Sequence, residues 1–156
     1  MAAGIKSGAM LASAGAITDV DTAQRNPLGT VVKANFGNEY IYLQGIGSTA
    51  QYDWVTYNVA FLTARLVADA VGPVAIAQAA IFADQFGWYL VKGSGLGRSD
   101  AMAGATTVRT FIDTVTGVVD DAIVTGDQVY GAFSTTTGGA ASGTGASGVN
   151  VTFMLN

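Results

Sequence analysis

The sequence predicts a mainly β fold: a compact single-domain β-barrel or β-sandwich with at most one or two short helices and an extended N-terminal arm. A length of 156 residues suits one domain with a single hydrophobic core. Short runs rich in valine, isoleucine, threonine and aromatic residues follow one another, separated by glycine, asparagine and serine. We therefore expect an arm over residues 1–27 and a β domain over 28–156, with a glycine-, serine- and threonine-rich loop at 134–148.

The predicted arm consists mainly of small residues and shows no sustained hydrophobic period. Pro27 and Gly29 mark the entry into the first regular segment. The triplet at 12–14, Ala-Ser-Ala, resembles a signal-peptidase cleavage site, but glycines interrupt the apolar stretch before it. An extended arm is therefore the simpler interpretation.

Strands are predicted where β-branched and aromatic residues recur between turn-forming residues. In chain order these segments are 30–36, 39–47, 52–61, 73–83, 86–93, 105–117, two short strands within 117–133 on either side of residues 125–127, and 148–156. Residues 61–72 fit helical spacing and are assigned one short helix.

Two predicted strands alternate in a way that separates their faces. In 39–47, Tyr40, Tyr42 and Gln44 share one face, whereas Ile41 and Leu43 share the other. We expect one of these faces to lie in the core and the other to meet a partner or solvent. In the last strand, one face carries Val149, Val151, Phe153 and Leu155.

Composition excludes several classes of function. Charged residues make up 12% of the chain, about half the ~25% typical of soluble domains. The net charge of -4 argues against a nucleic-acid partner, and no apolar run reaches the ~20 residues that cross a membrane. Without histidine or cysteine, the chain lacks the commonest general base and every histidine- or cysteine-based catalytic pair. We expect no enzyme activity, catalytic residue, cofactor or metal.

Residues 92–100, KGSGLGRSD, invite comparison with a phosphate-binding loop. The glycines at 93, 95 and 97 match neither the P-loop nor the dinucleotide-binding fingerprint. The favoured interpretation is a flexible turn leaving a strand. Arg98 has the charge to approach an anion, but no ribose-binding acidic residue follows in a recognisable unit.

The acidic residues suggest two kinds of site and support neither strongly. Asp120, Asp121 and Asp127 carry the hard oxygen ligands that Ca²⁺ prefers, but they do not fit an EF-hand loop. Polar residues in a turn between strands are the favoured interpretation. For glycosidase chemistry, no spacing singles out a pair among Asp53, Asp84, Asp113, Asp120 and Asp121.

Aromatic residues offer a possible sugar-stacking platform. Packing in a sheet or at an interface is the favoured alternative, and Trp54, Trp88 and Tyr89 in particular are expected to be structural. The candidates for the platform are Tyr40, Tyr42, Tyr52, Trp54, Tyr57, Trp88 and Tyr89.

Two stretches, VGPVAIAQAAIFADQFGWYLVKGSG and TGVVDDAIVTGDQVYGAF, with the glycine-rich stretch and terminal GVNVTFMLN that follow, carry a family resemblance. This half of the chain resembles the head decoration, or cement, proteins of tailed bacteriophages. Pro73 departs from the pattern. The resemblance implies a β fold that forms trimers or related homo-oligomers on the outer surface of an icosahedral capsid and bridges major capsid proteins, with no catalytic residues.

The expected function is therefore that of a non-enzymatic virion structural protein that stabilises a capsid. We expect capsid contacts in the arm, residues 1–27, and in the loop at 134–148, because ordering such segments costs about 1–2 kcal/mol per residue and needs compensating contacts. The alternatives are a carbohydrate-binding virion module and another virion component, such as a tail tube, connector or minor capsid protein.

Overall fold

A computed structural model describes residues 15–100, 102, 108–135 and 149–156. Within these residues the fold is a compact, mainly β single domain in which eleven strands join one sheet. The strands are β1 (Val20–Asp21), β2 (Val31–Lys33), β3 (Glu39–Gln44), β4 (Trp54–Tyr57), β5 (Thr63–Arg65), β6 (Val74–Ala77), β7 (Phe86–Ser99), β8 (Val108–Ile112), β9 (Val119–Asp120), β10 (Gln128–Ser134) and β11 (Val149–Leu155), with a short 3-10 helix at Asn35–Gly37.

The 14-residue strand β7 organises the sheet because it belongs to two sub-sheets. Its beginning lies between β3 and β6 in the first sub-sheet, whose order is β2-β3-β7-β6-β4-β5. Its end pairs with β11 over seven residues in the second sub-sheet, whose order is β7-β11-β10-β8-β9. One continuous strand therefore joins the two halves of the domain.

Both sub-sheets curve until their outer strands approach the strand on the opposite side. In the first, the segment before β5 meets β3 through the parallel bridge between Gln44 and Leu62. In the second, β9 meets β7 through the single parallel pair of Ser99 and Val119. Each sub-sheet is thus strongly curved, but neither is closed by a continuous ladder.

The curvature produces two hydrophobic cores. The main core lies between the sub-sheets and contains Tyr42, Trp54, Trp88, Leu90 and Phe153. The inner core lies on the other face of the first sub-sheet, where small residues fit inside a tight curve. Its members include Ile41, Leu43, Val55, Ala75, Ala77 and Tyr89.

One expectation about β3 is wrong. Its two faces were expected to differ, with one in contact with a partner or solvent, yet Ile41, Tyr42 and Leu43 are all buried. The reason is the curvature of the first sub-sheet, which covers the second face as well. In β11, Phe153 and Leu155 of the predicted apolar face are both buried, whereas the side chains of Val149 and Val151 lie outside what the structure describes.

Two predicted elements are wrong. Residues 61–72 form strand β5 and turns rather than a helix, because Thr63 and Ala64 pair with β4 and take the backbone groups that a helix would use. The glycines at 93, 95 and 97 lie inside β7 rather than in a flexible turn. Pairing with β11 holds this segment extended despite its glycines. The other predicted strands are confirmed with different bounds: most are shorter, whereas β7 and β10 extend beyond the predicted ends.

Candidate functional site

Arg98, which the sequence offers as an anion ligand, forms part of a buried cluster of paired charged side chains. Its Nη1 lies 2.5 Å from Oδ1 of Asp53, and Nε of Arg65 lies 2.8 Å from Oδ2 of the same carboxylate. Asp53 is fully buried. Arg65 Nη2 also donates to the carbonyl of Thr116, 2.7 Å away. The Asp53 cluster joins β4, β5, β7 and the turn after β8, which is a structural task.

The candidate acidic residues have separate partners. Asp127 accepts a 2.8 Å hydrogen bond from the backbone N–H of Asp69, and Asp84 accepts one of 3.4 Å from the Gln44 side chain. Burial, followed by the neighbouring carboxylate of Asp113, raises the pKa of Asp120 to about 6. The Asp113 Oδ1 accepts a 2.6 Å hydrogen bond from the Val115 backbone N–H, as is typical of an aspartate in a turn. Within the described ranges, no group of three potential ligands is placed to hold a metal ion.

The candidate aromatic platform is mostly internal. Tyr40, Tyr42, Trp54, Trp88 and Tyr89 are buried, whereas Tyr52 and Tyr57 are half-buried. The Trp54 ring meets Phe153 edge-on with 4.9 Å between ring centroids, which places it across the two sub-sheets. The burial of Trp54, Trp88 and Tyr89 agrees with the structural role expected for them.

The predicted arm is attached to the domain from residue 15 onward. β1 pairs with the start of β7, and Ile17 and Asp21 are buried. The Tyr42 hydroxyl donates a 2.6 Å hydrogen bond to Asp21, which also pairs with Arg25 at 3.2 Å. Residues 1–14, and 136–148 of the predicted loop, lie outside the described residues.

Beside this attachment, three apolar side chains remain in contact with solvent. Ile46, Phe82 and Val20 are 54%, 53% and 37% exposed, and together we call them the arm-end surface. They belong to neighbouring segments: Gly45 N donates to Gln85 O at 2.8 Å, and Val20 lies opposite Gly87. An apolar group at a chain junction is a candidate contact with another protein.

A groove of about 470 Å³ lies toward the other end of the β3–β7 ladder, between the turn before β6 and strand β10. We call it the β10 groove. Val71 and Tyr130 on its lining are 97% and 86% exposed, although both are large apolar or aromatic residues. In the part of the chain that the structure describes, no Lys, Arg, Asp or Glu lines it. Its lining includes Tyr57, Val71, Val74, Val91, Gln128 and Tyr130.

The sequence contained only a weak indication of these two surfaces. Alternation in β10 places Val129 inside and Tyr130 outside, so Tyr130 was recognisable as an exposed aromatic residue. Val71 was hidden in the incorrectly predicted helix. Ile46 and Phe82 lie at segment ends, where periodicity gives no orientation.

No protein-family model, curated protein or solved structure matches the chain significantly. In the described residues, no helix is both long and apolar enough to span a bilayer. The surfaces of the molecule therefore provide the structural indications of its function.

Proposed function

We propose that the chain is a non-enzymatic virion structural protein that decorates and stabilises an icosahedral phage capsid. In this proposal it binds to the outer surface as a homo-oligomer, with a trimer favoured, and bridges neighbouring major capsid proteins. The resemblance described above and the weakly charged β domain support this function. The observation that carries it is the arm-end surface: apolar side chains left in solvent beside the point where residues 1–14 join the domain.

The energetics of the arm-end surface favour association. Complete burial of a side chain such as Ile46 or Phe82 contributes about 1.5–3 kcal/mol. Residues 1–14 are mostly small and include one charged side chain, Lys6, so much of their backbone can approach another chain closely. Adding them to a sheet edge of the capsid protein would supply main-chain hydrogen bonds. Contacts of this size are modest in one copy and effective when many copies or subunits act together.

The arm is tested by deleting residues 1–14 only. A longer deletion would remove Ile17 and Asp21, which the domain buries, and would confuse loss of fold with loss of contact. We expect the truncated protein to keep its thermal unfolding temperature and to lose cosedimentation with undecorated capsids. Undiminished binding of the truncated protein would contradict the role of the arm.

The arm-end surface is tested by Ile46→Asp combined with Phe82→Asp. Burying either charge against a partner is unfavourable, so we expect capsid affinity to fall by at least about tenfold. Val59→Asp is the matched control, because Val59 is 99% exposed on the separate β4–β5 hairpin. Negative-stain microscopy distinguishes the proposal from a tail-tube or connector role, which would give tubes or rings rather than decorated shells.

A further inference from the structure

Polar side chains form part of the β10 groove. The Tyr57 hydroxyl and the Gln128 side-chain amide line the groove. Both residues are half-buried, so neither is simply a solvated surface group. Desolvation raises the pKa of Tyr57 above its ordinary value, and its hydroxyl therefore stays a neutral donor at physiological pH. Both groups are therefore available to hydrogen-bond a ligand that enters the groove.

The remainder of the lining is apolar and aromatic. Tyr130 is 86% exposed, and Val74 and Val91 contribute half-buried aliphatic surface. Exposed tyrosine rings combine an apolar face with a polar tip. A ligand that fits here must present both an apolar face and hydroxyl or amide groups at its edge.

Charge narrows the class of ligand further. A phosphate or carboxylate ligand would need an arginine, a lysine or a cluster of amide donors, and the described lining provides no basic side chain. The same lining also lacks an acidic side chain to pair with a primary ammonium ligand. The groove therefore favours an uncharged ligand.

From these features we infer that the β10 groove binds a neutral saccharide. The C–H face of a pyranose ring matches the tyrosine rings, and its hydroxyls match the Tyr57 hydroxyl and the Gln128 amide. The volume of about 470 Å³ falls in the range of about 300–1,000 Å³ that holds small ligands. This site is separate from the arm-end surface and goes beyond the structural role proposed above. Of the candidate aromatic platform, it uses only Tyr57, which is half-buried.

The test is an NMR titration of the isotope-labelled full chain with three neutral probes: maltotriose, cellotriose and N,N′-diacetylchitobiose. We expect at least one probe to shift amide resonances around the groove, including those of Gly126 and Gly131. We expect Tyr130→Ala to weaken that binding by at least about tenfold, because it removes the exposed ring. Phe36→Ala is the control, since Phe36 is 89% exposed at the 3-10 helix and should leave binding unchanged.

Three results would overturn the inference. The first is the absence of shifts with all three probes at about 10 mM, the weak end of saccharide affinities. The second is binding that survives Tyr130→Ala undiminished. The third is a concentration-dependent shift of the same resonances without sugar, which would assign the groove to a second copy of the chain.

Discussion

The two halves of β7 pack against the rest of the domain in different ways. In residues 86–92 the strand contributes large side chains to the cores. Trp88, Tyr89 and Leu90 are each at most 1% exposed. In residues 93–99 Ser94 and Leu96 are exposed, and Gly97 is buried because side chains from other strands lie against its backbone. A β-carbon added at Gly97 would lie 2.8 Å from Phe153 Cδ2 and 2.9 Å from Trp54 Nε1.

This difference shows what the glycines do. The Trp54 and Phe153 rings lie against the backbone of β7, and any side chain at Gly97 would occupy their place. The glycine-rich half is therefore a close-packing surface on which the second sub-sheet rests. Glycine in a strand interior costs conformational entropy, and here the packing of two aromatic rings offsets that cost.

Trp88→Ala tests the half of β7 that contributes large side chains. It should have the largest effect on stability. The substitution leaves a large cavity beside Tyr42, whose ring centroid lies 5.0 Å from that of Trp88. We expect the free energy of unfolding to fall by about 3–5 kcal/mol, measured by denaturant titration. Phe82→Ala, at a 53% exposed site, should cost less than about 1 kcal/mol. Similar losses in the two variants would contradict the packing described for this half.

Gly97→Ala tests the half that is covered by its neighbours. The added methyl group overpacks the contact with Trp54 and Phe153, and we expect a loss of about 1–3 kcal/mol in the same titration. Gly47→Ala is the matched control, because a β-carbon there would meet nothing within 4 Å. If Gly97 were in a flexible turn, both alanines would be tolerated equally.

Asp120→Asn should have the smallest effect on stability, and this effect should depend on pH. Strand β9 closes on the glycine half through Ser99 and Val119, and the next residue, Asp120, has a pKa raised to about 6 from an ordinary value of 3.8. Between these values the folded protein binds more protons than the unfolded chain, so stability falls as pH rises. Asp120→Asn should therefore raise the unfolding temperature at pH 7 and change it little at pH 4. An equal change at both pH values would exclude the buried carboxyl as its cause.

Much of the strand framework could be predicted, because β3 and the aromatic half of β7 carry their own hydrophobic pattern. The packing of the glycine half could not be predicted. The residues that pack on Gly97 are Trp54 and Phe153, which are distant from it in sequence. The same is true of residues 61–72, where pairing with β4 overrides helical spacing. For the candidate sites, Tyr130 was within reach of an alternation argument. The pairing of Asp53 with Arg65 and Arg98 was not, because no local pattern connects those positions.

The Asp53 cluster couples the unfolding of the two sub-sheets. Arg98 lies in the glycine half of β7, and Arg65 reaches the Thr116 carbonyl between β8 and β9, so both sub-sheets contribute to one carboxylate. Opening either sub-sheet alone would leave a buried ion without its full set of partners, which is strongly unfavourable. The two halves should therefore melt together in a single cooperative transition, without a half-folded species that exposes sheet edges to aggregation.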